Sequence, residues 1–116
     1  MKGLKVLLVD DYVEIAALFA EALSSFGHEV VLAHDVRTAI DQLDESFNLL
    51  ITDYDMPDGT GFDLVRMIPR ERKIKKILIS GQLFLVPDDI KSHFNICLAK
   101  PFSPQDLRNA INCLFI

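Results

Sequence analysis

Two adjacent aspartates, Asp10 and Asp11, follow the apolar run KVLLV; Asp53 follows LLIT, Ser80 ends ILIS, and Lys100 follows ICLA. If these runs are strands of one sheet, three carboxylates, a hydroxyl and an ammonium meet at one edge. Carboxylates that close raise one another's pKa and cannot all stay ionised unless a cation neutralises them. A hard divalent ion does so: magnesium, or manganese in its place, accepts one or two carboxylates with carbonyl and water oxygens and serves phosphoryl chemistry. Any single aspartate at such a junction also fits a helix cap, and Asp11 suits the helix that follows it. Capping does not account for all five groups together, and titratable groups that converge at a sheet edge mark a functional site.

Five short runs must position these groups: Lys5 to Val9, Glu29 to Ala33, Leu49 to Thr52, Ile77 to Ser80 and Ile96 to Ala99. Most are continuously apolar rather than alternating, the pattern of parallel strands covered by helices on both faces. Between them, apolar residues recur at spacings of three and four. Ile15, Phe19, Ala22, Leu23 and Phe26 form one stripe; Val36, Ala39, Ile40 and Leu43 form another; Leu107, Ala110, Ile111 and Leu114 form the last. Asp35 is placed to cap the second helix and Pro69 to end the third, while Ser103 before Pro104 supplies a cap and a proline at the first position of the last helix. The βα alternation repeats five times and predicts a single-domain α/β fold, a doubly wound five-stranded parallel sheet with ligands beyond the carboxyl ends of its strands. The weakest stretch runs from Gly81 to Asn95, where Pro87 interrupts the pattern and only Ile90 and Phe94 keep helical spacing.

Size and charge narrow the alternatives. A chain of 116 residues holds one core and leaves no room for a separate substrate lobe. No apolar run approaches a membrane span, the N-terminus lacks a leader pattern, and a cytoplasmic protein is expected. Twelve basic against seventeen acidic residues give a net charge of −5, which offers no general basis for nucleic-acid binding. Cys97 and Cys113 have no companions at zinc-type spacing and read as buried free thiols, and His28, His34 and His93 are dispersed, as bystanders are.

On these residues the chain resembles, over essentially its whole length, the receiver domain of two-component response regulators. The resemblance is carried by LLVDD with Asp10 and Asp11, LLITDYDMPDGTG around Asp53, Ser80 followed by Gly81, and AKPF with Lys100 and Pro101. It implies one receiver domain over residues 1–116, with a flavodoxin-like (βα)5 sheet of strand order 2-1-3-4-5. Asp53 would take a phosphoryl group from the phosphohistidine of a sensor histidine kinase or phosphotransfer protein, forming an acyl phosphate. Asp10, Asp11, Asp53 and the backbone carbonyl of Asp55 would hold magnesium. The ion, Lys100 and Ser80 would each take one phosphoryl oxygen. The resemblance further implies a cis peptide before Pro101, loop freedom at Gly61, and Asp55 and Gln82 beside the path of the attacking water. Such a domain is regulatory and not a turnover enzyme: it labels itself, slowly loses the label, and signals to an output protein or domain that the residues do not name.

Two departures from the family pattern stand out. Cys97 occupies the place of a Tyr or Phe whose ring moves on phosphorylation, which leaves Phe94 as the nearby substitute, and the interval from Ser80 to Lys100 is a couple of residues short. Both support an alternative, a degenerate receiver that docks on partners without being phosphorylated. A second alternative is the nucleophile loop of haloacid-dehalogenase-type phosphatases, which Asp53-Tyr54-Asp55 resembles. That family needs a longer chain and places the loop at its first strand, already occupied here by an acidic pair.

Overall fold

The computed structural model describes residues 3–115. Five parallel strands form its sheet: β1 (Lys5–Val9), β2 (Glu29–Ala33), β3 (Leu49–Asp53), β6 (Lys75–Ser80) and β7 (Ile96–Ala99), in the order β2-β1-β3-β6-β7. Counted as five strands this is the 2-1-3-4-5 order, and each of the five runs becomes a strand. A two-stranded hairpin, β4 (Asp55–Met56) with β5 (Gly59–Thr60), was not legible as strand and lies outside the sheet.

The continuous apolar runs are explained by the two cores. Leu7, Val9, Leu50 and Leu78 face one layer, with α2 (Val36–Gln42) and α3 (Gly61–Arg66) packed on it. Their neighbours Val6, Leu8, Leu49, Ile51, Ile77 and Ile79 face the other, beneath α1 (Val13–Ser25) and α5 (Pro104–Leu114). Both faces of the sheet are buried, so alternation has nothing to select for.

The caps follow the local chemistry. Asp35 accepts the Thr38 N–H at the start of α2, and Ser103 and Asp106 close a reciprocal capping box at α5 behind Pro104. At the end of α1, Gly27 takes a positive φ of 97°, the conformation that lets the chain leave the helix at little cost.

Three expectations need correction, and the stretch after Gly81 is as weak as expected. On α1 the buried residues are Ala16 and Leu23, with Phe19, Ala20 and Phe26 half-buried, while Ile15 is 47% exposed. Phe19, Leu23 and Phe26 of the expected stripe meet the core, while Ile15 gives way to Ala16 and Ala20. The third helix ends at Arg66 with Met67 as its cap, before Pro69 is reached. The cysteines are free, but Cys97 is half-buried and Cys113 exposed. From Gly81 to Asn95 the chain forms only a 3-10 turn, Leu83–Leu85, and a single-turn helix α4, Asp88–Lys91, with Pro87 as its cap residue. Phe94 is buried in the α2/α3 layer, and Ile90 packs against that layer.

Candidate functional site

Among the described residues the buried polar or charged side chains are Asp10, Thr52, Asp53 and Ser80. All four lie at the carboxyl ends of β1, β3 and β6. The register explains this: Val9 pairs with Thr52 and Asp53 with Ile79, so the residue after each apolar run comes to the same edge. Lys100 arrives one residue beyond β7, its backbone N–H donating to the Ser80 carbonyl at 2.9 Å, and the Lys100–Pro101 peptide is cis.

The Lys100 ammonium joins the two buried carboxylates, with Nζ 2.9 Å from Asp53 Oδ2 and 3.2 Å from Asp10 Oδ2. Tyr54 N–H donates to Asp53 Oδ1 at 2.8 Å, and Tyr12 N–H to Asp10 Oδ1 at 3.0 Å. Burial, helped by the Asp10 charge, raises the Asp53 pKa despite opposition from Lys100 and the Tyr54 N–H. For Lys100 the burial acts to lower the pKa, but the hydrogen bond and charge of Asp53, with those of Asp10, outweigh it and raise it. The ammonium gains from two carboxylates, while Asp53 must share its one cation with Asp10 and is left with the cost of burial.

Asp11 is exposed, yet one carboxylate oxygen each from Asp10, Asp11 and Asp53 lie within 4.8 Å of one another. It caps nothing: the cap residue of α1 is Tyr12, with no side-chain bond. Three hard oxygen donors with one ammonium between them suit a small divalent cation, by the chemistry of the donor set. A cavity of about 370 Å³ opens beside them, lined by Asp11, Tyr12, Asp53, Asp55, Gly81, Gln82 and Lys100. Asp55 and Gln82 therefore share the space that Asp53 faces. Ser80 stays buried, its Oγ accepting the Gln82 N–H at 3.1 Å.

Three contributors escaped the sequence reading. Asp58 reaches from the β4–β5 hairpin to accept the Val36 and Arg37 N–H groups, at 2.8 and 3.0 Å, tying the loop after Asp53 to α2. His34 reaches the same edge, its Nδ1 donating to the Asp10 carbonyl at 2.8 Å. Tyr12 sets its ring 5.4 Å from the Lys100 ammonium. Each is a contact across more than twenty residues or between side chains, so no local pattern announces it.

Gly61 corrects a mechanism. It is the first residue of α3 and does not need loop freedom; a Cβ there would lie 2.6 Å from the Asp53 carbonyl oxygen and 3.0 Å from Thr52 Cγ2. Gly61→Ala should therefore lower stability by about 1–3 kcal/mol through overpacking behind Asp53. Urea unfolding reads this, and an unchanged midpoint would show that the α3 start can move freely away from β3.

Known proteins are similar to this chain in sequence and fold. The family model described as response regulator receiver domain matches residues 6–112. The transcriptional regulatory protein CpxR of Escherichia coli is 33% identical over 112 residues, 89% of this chain but 45% of that protein, so the chain spans about half the length of these curated relatives. The chemotaxis protein CheY1 of Helicobacter pylori is 33% identical over 93% of this chain and 94% of its own. Among solved structures, the chemotaxis response regulator CheY4 of Vibrio cholerae superposes with a TM-score of 0.81 at 27% identity, covering 97% of this chain and 98% of that one. The response regulator TrrA of Thermotoga maritima, solved with magnesium and a beryllium fluoride, does so at 0.84 with 25% identity, covering 98% and 99%. With its strand order, its edge of buried acids and its match over residues 6–112, the chain belongs to the response regulator receiver domain family.

Proposed function

We propose that this chain is a regulatory phosphoacceptor in which Asp53 receives a phosphoryl group from the phosphohistidine of a sensor kinase or phosphotransfer protein. The observation that carries the reading is the Lys100 ammonium held between buried Asp53 and Asp10 at the mouth of the cavity. Asp53 is oriented before a donor arrives, one oxygen by Tyr54 N–H and the other by Lys100. The phosphorus–nitrogen bond breaks as the Asp53 oxygen–phosphorus bond forms, and the electron pair leaves with the imidazole. Lys100 moves its hydrogen bond from Asp53 to a phosphoryl oxygen, and the Ser80 hydroxyl donates to another. Asp10, Asp11, Asp53 and the Asp55 carbonyl would hold a divalent cation, magnesium or manganese, which would supply charge neutralisation to the transferring group. The magnesium and beryllium fluoride in the Thermotoga maritima neighbour support this choice.

Docking of the donor is supported by α1 and the turn before it, where Tyr12 and Leu18 are 62% and 65% exposed and Val13 and Ile15 lie between them. Beside them a cavity of about 310 Å³ shares Asp10, Tyr12 and Lys100 with the acid site. Free Cys97 and Cys113 suit the reducing cytoplasm.

Incubation with acetyl phosphate and magnesium should add one phosphoryl group by intact mass, and chelation should prevent it. Asp11→Ala should raise the magnesium requirement more than about tenfold, the lower bound seen even for outer-shell losses. An unlabelled parent, or catalytic hydrolysis of a phosphomonoester, would overturn the reading.

Output coupling through β7 should be weak. Cys97 has no ring to move, Phe94 is fixed in the core, and α4 is one turn long. Beryllofluoride is expected to shift amides around Asp53, Ser80 and Lys100 strongly and those of Asp89 to Cys97 and Leu107 to Leu114 little. Equal shifts throughout would contradict this.

A further inference from the structure

Six of the chain's twelve Lys and Arg residues fall between Arg66 and Lys76, accompanied by one acidic residue, Glu71. In an acidic chain that concentration is not a general surface property. Three of the six, Arg66, Arg70 and Lys76, line a cleft of about 310 Å³ at the amino-terminal end of β6, together with Val65, Ile68, Pro69 and His93. No carboxylate lines it. Among the described residues none of Arg66, Arg70, Lys76 or His93 has an acidic side chain within ion-pair distance.

The cleft is also built. Its floor is the apolar surface of Val65, Ile68 and Pro69, the first two buried. On one side the His93 ring packs 5.1 Å from Phe62, and Arg66 lies 5.7 Å from the same Phe62 ring. Lys76 is half-buried on β6, and among the described residues its ammonium donates to the Ile74 carbonyl alone, at 3.3 Å. Burial, with the neighbouring Lys75 charge, lowers the Lys76 pKa, the mark of a cation drawn out of water without a counter-charge.

We propose that this cleft is a second ligand site, which takes an organic phosphate of mononucleotide size. Arg66, Arg70 and Lys76 converge as a multiply charged anion requires, and the planar arginine fork matches phosphoryl oxygens. The apolar floor and the His93 ring receive the uncharged part of the ligand, and the volume lies at the lower end of small-molecule pockets. The site lies at the opposite end of β6 from Ser80, about 13 Å along the strand, and so is separate from the acid cluster.

Titrating the isotope-labelled chain with adenosine monophosphate or diphosphate, with chelator present, tests this by amide shifts. Saturable shifts are expected at Val65 to Arg70, Lys76 and His93, stronger than with inorganic phosphate or adenosine alone. The Arg66→Ala/Arg70→Ala pair and Lys76→Met should each weaken binding about tenfold or more, while Asp53→Asn should bind as the parent does. The exposed arginines make the first variant a safe test of folding. Shifts that do not saturate, that centre on Asp53, or that survive in Lys76→Met would overturn the proposal. Tighter binding of a single-stranded oligonucleotide or an acidic peptide would overturn the choice of ligand.

Discussion

Asp53→Asn is expected to abolish the phosphoryl label and, in metal-free buffer, to make the fold more stable. The label is lost because an amide oxygen is a poor nucleophile and no other carboxylate stands in the same place: Asp10 is turned into the sheet edge by the Tyr12 N–H and Lys100. The gain in stability follows from the sign of the Asp53 shift. Burial raises its pKa, so its ionised form costs folding free energy; the group favours the folded state below its ordinary value of 3.8 and that contribution is lost as pH rises through the folded-state pKa. The asparagine variant should therefore have the higher urea midpoint near neutral pH, and the advantage should vanish as the buffer is taken below 3.8. Magnesium should narrow the gap by stabilising only the parent. A residual phosphoryl adduct in Asp53→Asn would disprove the assignment, and a variant less stable than its parent at neutral pH would disprove the electrostatic account.

Lys100→Ala is expected to act in the opposite direction on stability. It removes the ammonium that Asp10 and Asp53 share, leaving two desolvated carboxylates with backbone N–H donors alone. Breaking a buried pair in this way costs about 3–5 kcal/mol, less whatever one acid recovers by taking a proton. Magnesium should restore much of that loss, since it supplies the missing charge at the same oxygens. The label should form about 10²–10³ times more slowly even with magnesium saturating, because the transferring group loses a positioned donor. Lys100→Arg should keep most of the stability but little of the rate, its fork being too broad for a point contact with two carboxylates. A Lys100→Ala protein as stable as the parent without metal, or labelled within about twofold of its rate, would show that the observed contacts carry neither role.

What could be read from the chain without a structure was local in origin. The central strands were visible because both of their faces are buried, so Val6 to Val9 and Leu49 to Ile51 are apolar without a break, and the acid that follows each run falls at the sheet edge. That is why Asp10, Asp11, Asp53, Ser80 and Lys100 could be named together before any contact was known. Ser103-Pro104 and Asp35 were legible for the same reason, since a cap is made within one turn of its own helix. The fold class followed from the count of alternations, and the strand order from the family pattern. Tertiary structure alone decided the rest. On α1 the stripe held at Phe19, Leu23 and Phe26, but a helix face is chosen by what it packs on, and Ile15 loses its place to Ala16 and Ala20. Gly61 was expected to bend and instead makes room, a matter of how near α3 comes to β3. Asp58 on α2, His34 on the Asp10 carbonyl and His93 beside the cationic stretch from Arg66 to Lys76 join residues far apart in sequence. Nothing in the neighbouring residues encodes such contacts; they exist only once the crossovers have brought distant segments to within a few ångströms of one another.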